Sequence, residues 1–219
     1  MVIARRDELE ESLSCLPLFP LPEVILLPGV LLPLHVFEPR YRKMVRDVLE
    51  SHRHIVVVQI VDGSPLGGEG HPPIAPMAGV GSIIDSTELP NGRCNIVLRG
   101  RARVELQELP FVPPYRRASC RLLPSIEDGL VPHAMPALLA AVSSFVATVQ
   151  RRDPSFEFRI PRGVSDEVVM NHCAQQLLIE GRDRQKILET ARLSERAELL
   201  TEFIALQQMS LGSAGGVLN

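Results

Sequence analysis

Hydrophobic positions crowd the first part of the chain, yet they never settle into one long period. From Leu16 to Arg46 the run LPLFPLPEVILLPGVLLPLHVFEPRYRKMVR sets Pro17, Pro20, Pro22, Pro28 and Pro33 among apolar residues. Proline donates no backbone N–H and is confined to strand starts, edges and turns. The run therefore divides into short extended pieces, Leu16 to Leu21, Val24 to Leu27 and Val30 to Phe37. Pro28-Gly29 marks a turn between two of them. Pro39 fits a first helical turn, and Tyr41, Met44, Val45, Val48 and Leu49 follow at helical spacing, which predicts a helix to about Glu50.

Beyond that helix the period falls to two. Ile55 to Val61 is a continuous β-branched run, the pattern of a strand buried on both faces. Asp62 to Ala78 is dense in Gly and Pro and reads as a long loop. Gly79 to Leu89 predicts a strand, and Asn91-Gly92 a two-residue hairpin turn with positive φ at both positions. Arg93 to Arg99 and Arg101 to Leu109 alternate apolar and polar residues on either side of Gly100, a bulge or barrel corner. Tyr115 to Leu123 alternates again, with Ala118, Cys120 and Leu122 on one face.

Then the period lengthens. Met135, Leu138, Leu139, Val142, Phe145, Val146 and Val149 trace an amphipathic helix from Pro132 to Arg151. Ser165 is a candidate N-cap for a helix that Gly181 would end, Asp183 caps a short helix through Thr190, and Ser194 caps a last one through about Met209. Strands come first and helices last, an α+β arrangement of two lobes. Residues 1–15 are a lead-in, 16–125 the strand lobe with one helix at about 39–50, 126–209 the helical lobe, and 210–219 a flexible tail.

The strings PLFPL, LLPG and LPLHVFEPRYRKMV resemble the opening of the Lon N-terminal domain, the substrate-binding domain of the ATP-dependent protease Lon. ELPNGRCNIVLRGRARVELQE and GRDRQKILETARLSERAELLTEFI resemble its strand–turn–strand unit and the approach to its final helix. The resemblance implies a PUA-like pseudo-β-barrel followed by a small helical bundle. Phe19, Pro20, Pro28, Gly29, Phe37, Glu38, Pro39, Arg40, Tyr41, Gly92 and Gly100 are the signature positions, expected to build the barrel and its junction with the helix. It further implies a bacterial, cytoplasmic, free-standing member without the family's ATPase and protease domains, which binds unfolded or degron-bearing polypeptide or a protein partner.

Chemistry-bearing motifs are sparse. The two lysines, Lys43 and Lys186, precede Met44 and Ile187, so neither completes a Walker A loop, and both fall on polar helix faces unsuited to a Ser–Lys dyad. No catalytic residue, cofactor or metal site is expected. The four cysteines are far apart and read as buried free thiols, and His52 with His54 as a surface feature rather than a metal pair. The N-terminus is not a signal peptide, and no apolar run is long enough for a membrane helix. Two binding surfaces remain. Leu66, Ile74 and Met77, in or beside the Gly/Pro-rich loop, could take an extended polypeptide by strand addition. As an alternative, seven arginines stand against two acids between Arg93 and Arg121 in a chain of net charge −3. Arg99, Arg101, Arg103 and Tyr115 are the candidate RNA contacts there.

Overall fold

The computed structural model describes residues 6–61 and 71–214. The chain divides into two compact units, Met1–Pro124 and Ser125–Asn219. In the first, α1 (Arg6–Ser12) precedes β1 (Leu16–Leu21), β2 (Leu31–Val36), α2 (Pro39–Leu49), β3 (His54–Gln59), β4 (Met77–Glu88), β5 (Cys94–Glu108) and β6 (Arg117–Leu123).

β5 pairs with β4, β4 with β3, β3 with β1, β1 with β6, and β6 returns to β5, which closes a ring of five strands. Among the described strands only β1 and β3 pair in parallel, because the β2–α2 passage between them is a crossover. β5 is one continuous strand of 15 residues rather than two. Its first half also carries β2 and its second half carries β6. Gly100 lies at the handover: Gly81 faces Gly100 while Val80 faces Ala102, so Arg101 is a bulge.

The interior of the ring is filled from all five strands, by residues such as Leu18, Val56, Val80, Val104 and Ala118. Leu9 of α1 joins this cluster. A second cluster lies on the outside of the wall, where Tyr41, Met44, Val45 and Val48 of α2 cover Phe19, Ile55, Val57, Ile96 and Leu98. β3 supplies alternate residues to both clusters, as its β-branched run requires. Val24–Leu27 joins no sheet; Ile25, Leu26 and Leu27 instead cross the wall, fully buried. They press so close that a Cβ on Gly79 would lie 1.8 Å from the Leu26 carbonyl oxygen, and one on Gly100 would lie 2.0 Å from that of Leu27.

The signature residues fall at these junctions. Gly29, at φ 81°, donates its N–H to the Gly100 carbonyl at 3.0 Å. The Phe19 and Tyr41 rings lie 4.5 Å apart, and Arg40 stacks on Tyr41 while pairing with Glu38 at 2.8 Å. Pro39 opens α2. The β4–β5 turn has three residues, not two: Gly92 N–H reaches the Leu89 carbonyl across Pro90 and Asn91, and Leu89 N–H reaches Arg93. Asn91 (φ 76°, ψ 9°) takes the third position of a type II turn, which Pro90 at the second position favours. Positive φ holds at Asn91 and at Gly92.

The second unit holds α3 (Val131–Arg152), α4 (Asp166–Leu177), α5 (Gly181–Glu189) and α6 (Leu193–Ala214). Ser165 caps α4 through the Val168 N–H. Gly181 opens α5 instead of ending α4, whose last turn stops at Leu177; Glu180 occupies the N-cap position and Asp183 lies in the first turn. Ser194 sits inside α6, its hydroxyl donating to Asp128 at 2.8 Å, and the helix runs past Met209 through residues assigned above to the tail. α3 is long and apolar enough to cross a membrane, contrary to the run-length expectation, because Pro132 falls in its first turn and the helix accommodates Pro136. Its Val131, Met135, Leu138, Val142 and Phe145 stripe is buried in the bundle. α6 supplies Arg196, 0% exposed, whose guanidinium binds Glu167 at 3.0 Å, Asn171 at 3.3 Å, Ser125 at 3.1 Å and the Thr190 carbonyl at 2.8 Å.

Candidate functional site

Three prolines hold residues 71–76 extended along the barrel. Val61 N–H donates to the Pro73 carbonyl and Ala75 N–H to Gln59, both at 2.9 Å, so this stretch prolongs the ladder beyond β3. Leu106 N–H takes the Pro76 carbonyl at 2.9 Å. Across from it, β5 ends at Glu108 and the chain turns through Leu109, Pro110 and Phe111. Between the two segments lies a cleft of ≈ 600 Å³. Pro72, Pro73, Ile74, Leu106 and Phe111 supply apolar wall, and the His71 ring meets the edge of Phe111 at 4.4 Å.

One ion pair lines this cleft. Arg116, its side chain 11% exposed, pairs with Glu108 and donates to the Pro72 carbonyl at 2.8 Å. The pair is internally neutral, and the carbonyls of Pro72, Pro73 and Pro76 already have donors. Prolines offer no N–H in return. The cleft can therefore take apolar side chains, and its proline-rich wall offers few N–H donors.

The barrel ring itself is closed. Among the described strands β2 alone has a single partner. Gly100 N–H donates to the Val30 carbonyl, so antiparallel alternation turns the backbone groups of Leu31, Pro33 and His35 toward β2's open edge. Pro33 removes one donor there, a device that blunts an edge. Leu31 and Phe37 remain 47% and 58% exposed beside it.

Of the residues singled out from sequence, Leu66 lies outside the described residues. Ile74 lines the cleft and packs against the barrel interior. Met77 opens β4 opposite Glu105 and does not line the cleft. The arginines do not form one surface. Arg103 is 2% exposed and donates to the Pro124 carbonyl at 2.8 Å. Tyr115 is 5% exposed, its hydroxyl donating to Asp47 at 2.7 Å and its ring covered by Arg117. Neither can face a phosphate or stack on a base. Arg121 pairs with Glu105. Arg99 is exposed opposite Leu31, and Arg101 is the half-buried bulge residue.

Asp47 shows how burial and bonding compete. Burial works to raise its pKa, but hydrogen bonds from Lys43 and Tyr115 outweigh it and hold the carboxyl below its usual range. Tyr115 is raised, by burial first and then by its bond to Asp47. His54 is buried, not a surface residue, because it opens β3 under Ser82, whose hydroxyl lies 3.0 Å from its Nδ1. Burial, with His52 and Arg101 nearby, pushes its pKa down to about 4. Of the thiols, Cys15 is exposed, and burial pushes Cys120 and Cys173 up to about 12. Among the described residues no cluster of three His, Cys, Asp or Glu side chains is placed to hold a metal ion.

Pro72, Glu108, Phe111 and Arg116 make the cleft, and sequence alone did not join them. The prolines at 72–76 and 110–114 stand in the sequence, but the two stretches meet because β4 pairs with β5, and β6 then returns Arg116 beside Glu108.

A sequence profile of the ATP-dependent protease La (LON) substrate-binding domain matches residues 15–205. The Lon protease of Cytophaga hutchinsonii is 25% identical over 199 residues, 89% of this chain and 24% of that protein. That of Heliobacterium modesticaldum is 22% identical over 205 residues, 93% and 25% respectively. The chain thus spans about a quarter of the length of these curated relatives. Among solved structures, the N-terminal domain of a Mycobacterium avium complex Lon protease superposes with a TM-score of 0.66 at 14% identity, covering 88% of this chain and 98% of that one. A Lon N-terminal domain protein from Xanthomonas campestris gives 0.61 at 24% identity, covering 87% and 98%.

Proposed function

The chain belongs to the Lon substrate-binding domain family, and on that premise we propose that its barrel unit binds polypeptide without catalysing a reaction. The carrying observation is the cleft between residues 71–76 and 106–111, with apolar side chains on its walls and an internally neutral Arg116–Glu108 pair. Such a site selects exposed apolar side chains of an unfolded client. The family profile describes a substrate-binding domain, which supports reading the chain as a recognition module; a PUA-like barrel, a bacterial cytoplasmic setting and action without a cofactor complete this reading.

The test is fluorescence anisotropy with the full chain and a labelled, reduced and carboxymethylated polypeptide. Binding should persist from 50 to 500 mM salt, since apolar contacts tolerate screening. Phe111→Ser and Ile74→Ser should each weaken it by at least about fivefold, as expected for losing one buried apolar contact of ~1 kcal/mol or more. Unchanged affinity in both variants refutes the cleft. Tighter and salt-sensitive binding of a labelled RNA homopolymer would move the reading to nucleic acid.

A further inference from the structure

The second unit carries a groove of its own. It runs between one side of α3 and the connector 153–163, with a volume of ≈ 860 Å³, inside the range of ligand pockets. Val142, Val146, Phe158 and Ile160 line it with apolar surface, and Arg159 and Arg162 supply all of its lining charge. Among the described residues no carboxylate lines it. Glu157 meets Arg159 at 3.5 Å, but the two side chains are 79% and 86% exposed, and a pair so wet holds an arginine only weakly.

The walls are set in advance. Gln150 donates to the Phe156 carbonyl at 3.2 Å, and Asp153 accepts the Ser155 N–H at 3.0 Å. Phe158 packs on the His172 ring at 5.5 Å, and His172 Nε2 donates to the Arg159 carbonyl at 3.1 Å. Pro154 and Pro161 stiffen the connector, and Gly163 turns it at φ 73°. An occupant therefore meets a shaped surface and has little of it left to order.

An apolar floor by itself would accept any apolar segment. Two guanidiniums three residues apart, with no competing carboxylate in the lining, favour one that brings its own acids, because carboxylate and guanidinium form charge-assisted, often bidentate bonds. Val146, Phe158 and Ile160 are only half-buried, so a single acyl chain would stay wet along one side. A peptide can bury apolar side chains on the floor while its carboxylates reach both rim arginines. From this charge complementarity we infer that the groove docks a polypeptide segment in which apolar residues alternate with Asp or Glu. This surface is separate from the barrel cleft, and its occupant is selected by charge where the cleft's is not.

Three labelled twelve-residue peptides test this by anisotropy on the full chain: repeats of Leu-Glu-Phe-Asp, of Leu-Lys-Phe-Lys and of Ser-Glu-Ser-Asp. The first should bind at least about tenfold tighter than either of the others at 50 mM salt and weaken as salt rises. Arg159→Glu with Arg162→Glu should cost the acidic peptide at least about tenfold and turn the preference toward the lysine peptide. Both arginines are exposed, so far-UV CD should be unchanged; Arg159→Gln with Arg162→Gln, which adds no repulsion, should show the same direction at smaller size. Phe111→Ser in the barrel should leave this affinity intact, which separates failure here from failure of the cleft. Equal binding of acidic and basic peptides, an acidic-peptide affinity unmoved by charge reversal, or displacement of the peptide by stoichiometric laurate would each overturn the inference.

Discussion

Replacing Arg196 by Ala should unfold the helical unit far more easily than any surface change. Its guanidinium is 0% exposed and makes five hydrogen bonds, to Glu167, Asn171, Ser125 and twice to the Thr190 carbonyl. Burial lowers its pKa, opposed by the bond and charge of Glu167. Breaking a buried pair by removing one partner costs about 3–5 kcal/mol, because the other is left uncompensated. Glu167 is 27% exposed and can recover some hydration, whereas Asn171 is 0% exposed and cannot. The two effects place Arg196→Ala near the middle of that range. Arg196→Met keeps most of the volume and should recover ~1 kcal/mol of packing. The chain has no Trp, and Tyr41 and Tyr115 both lie in the barrel unit, so tyrosine fluorescence follows the barrel while ellipticity at 222 nm chiefly follows the helices. In urea, with a slope of ~2 kcal/mol per molar, the ellipticity midpoint of Arg196→Ala should fall by about 1.5–2.5 M. A fall below ~0.5 M, or Arg196→Met as stable as the parent, would refute the reasoning that this guanidinium holds the bundle together.

Gly79→Ala should destabilise the barrel by about 3 kcal/mol or more, because its Cβ would stand 1.8 Å from the Leu26 carbonyl oxygen and backbone must move. Gly92→Val should cost less, ~1–2 kcal/mol, from positive φ at a β-branched residue and from displacing the tip of Arg42; tyrosine-detected urea midpoints rank the two. His54 titrates at about 4 in the folded chain against 6.5 when unfolded, so the unfolded state takes up the proton first. Barrel stability should therefore decline as pH falls from 6.5 to about 4 and level off below, and His54→Gln should flatten that slope in urea midpoints measured along a pH series. Pro33→Val restores an N–H to β2's open edge and should promote concentration-dependent self-association in sedimentation velocity; a strictly monomeric variant would show that the proline does not guard the edge.

Local chemistry was legible in the linear chain. Pro39 at a helix start, the alternation of Arg93–Leu109, the positive φ of Asn91-Gly92 and the double burial of the first four residues of Ile55–Val61 (Val61 itself is 40% exposed) all depend on one residue and its near neighbours, where period and turn stereochemistry dominate. The strings from Leu16 to Arg46, from Glu88 to Glu108 and from Gly181 to Ile204 also carried the family, and the first two hold glycines and prolines where the backbone crosses closely.

What escaped that reading needs two distant segments at once. The same alternation describes Arg101 and Arg103, yet a bulge at one and the Pro124 carbonyl beside the other decide which is buried. Val24–Leu27 has strand composition but joins no strand, because it crosses the wall with its Leu26 and Leu27 carbonyls against Gly79 and Gly100. Gly181 suits a helix end equally at either side of a short connector, and only the packing of α4 against α5 and α6 chooses. The cleft joins residues 71–76 to 106–116, and the Arg196 network joins residues 125, 167, 171, 190 and 196; both exist through tertiary packing, because no periodicity encodes which side chain will meet a given carbonyl.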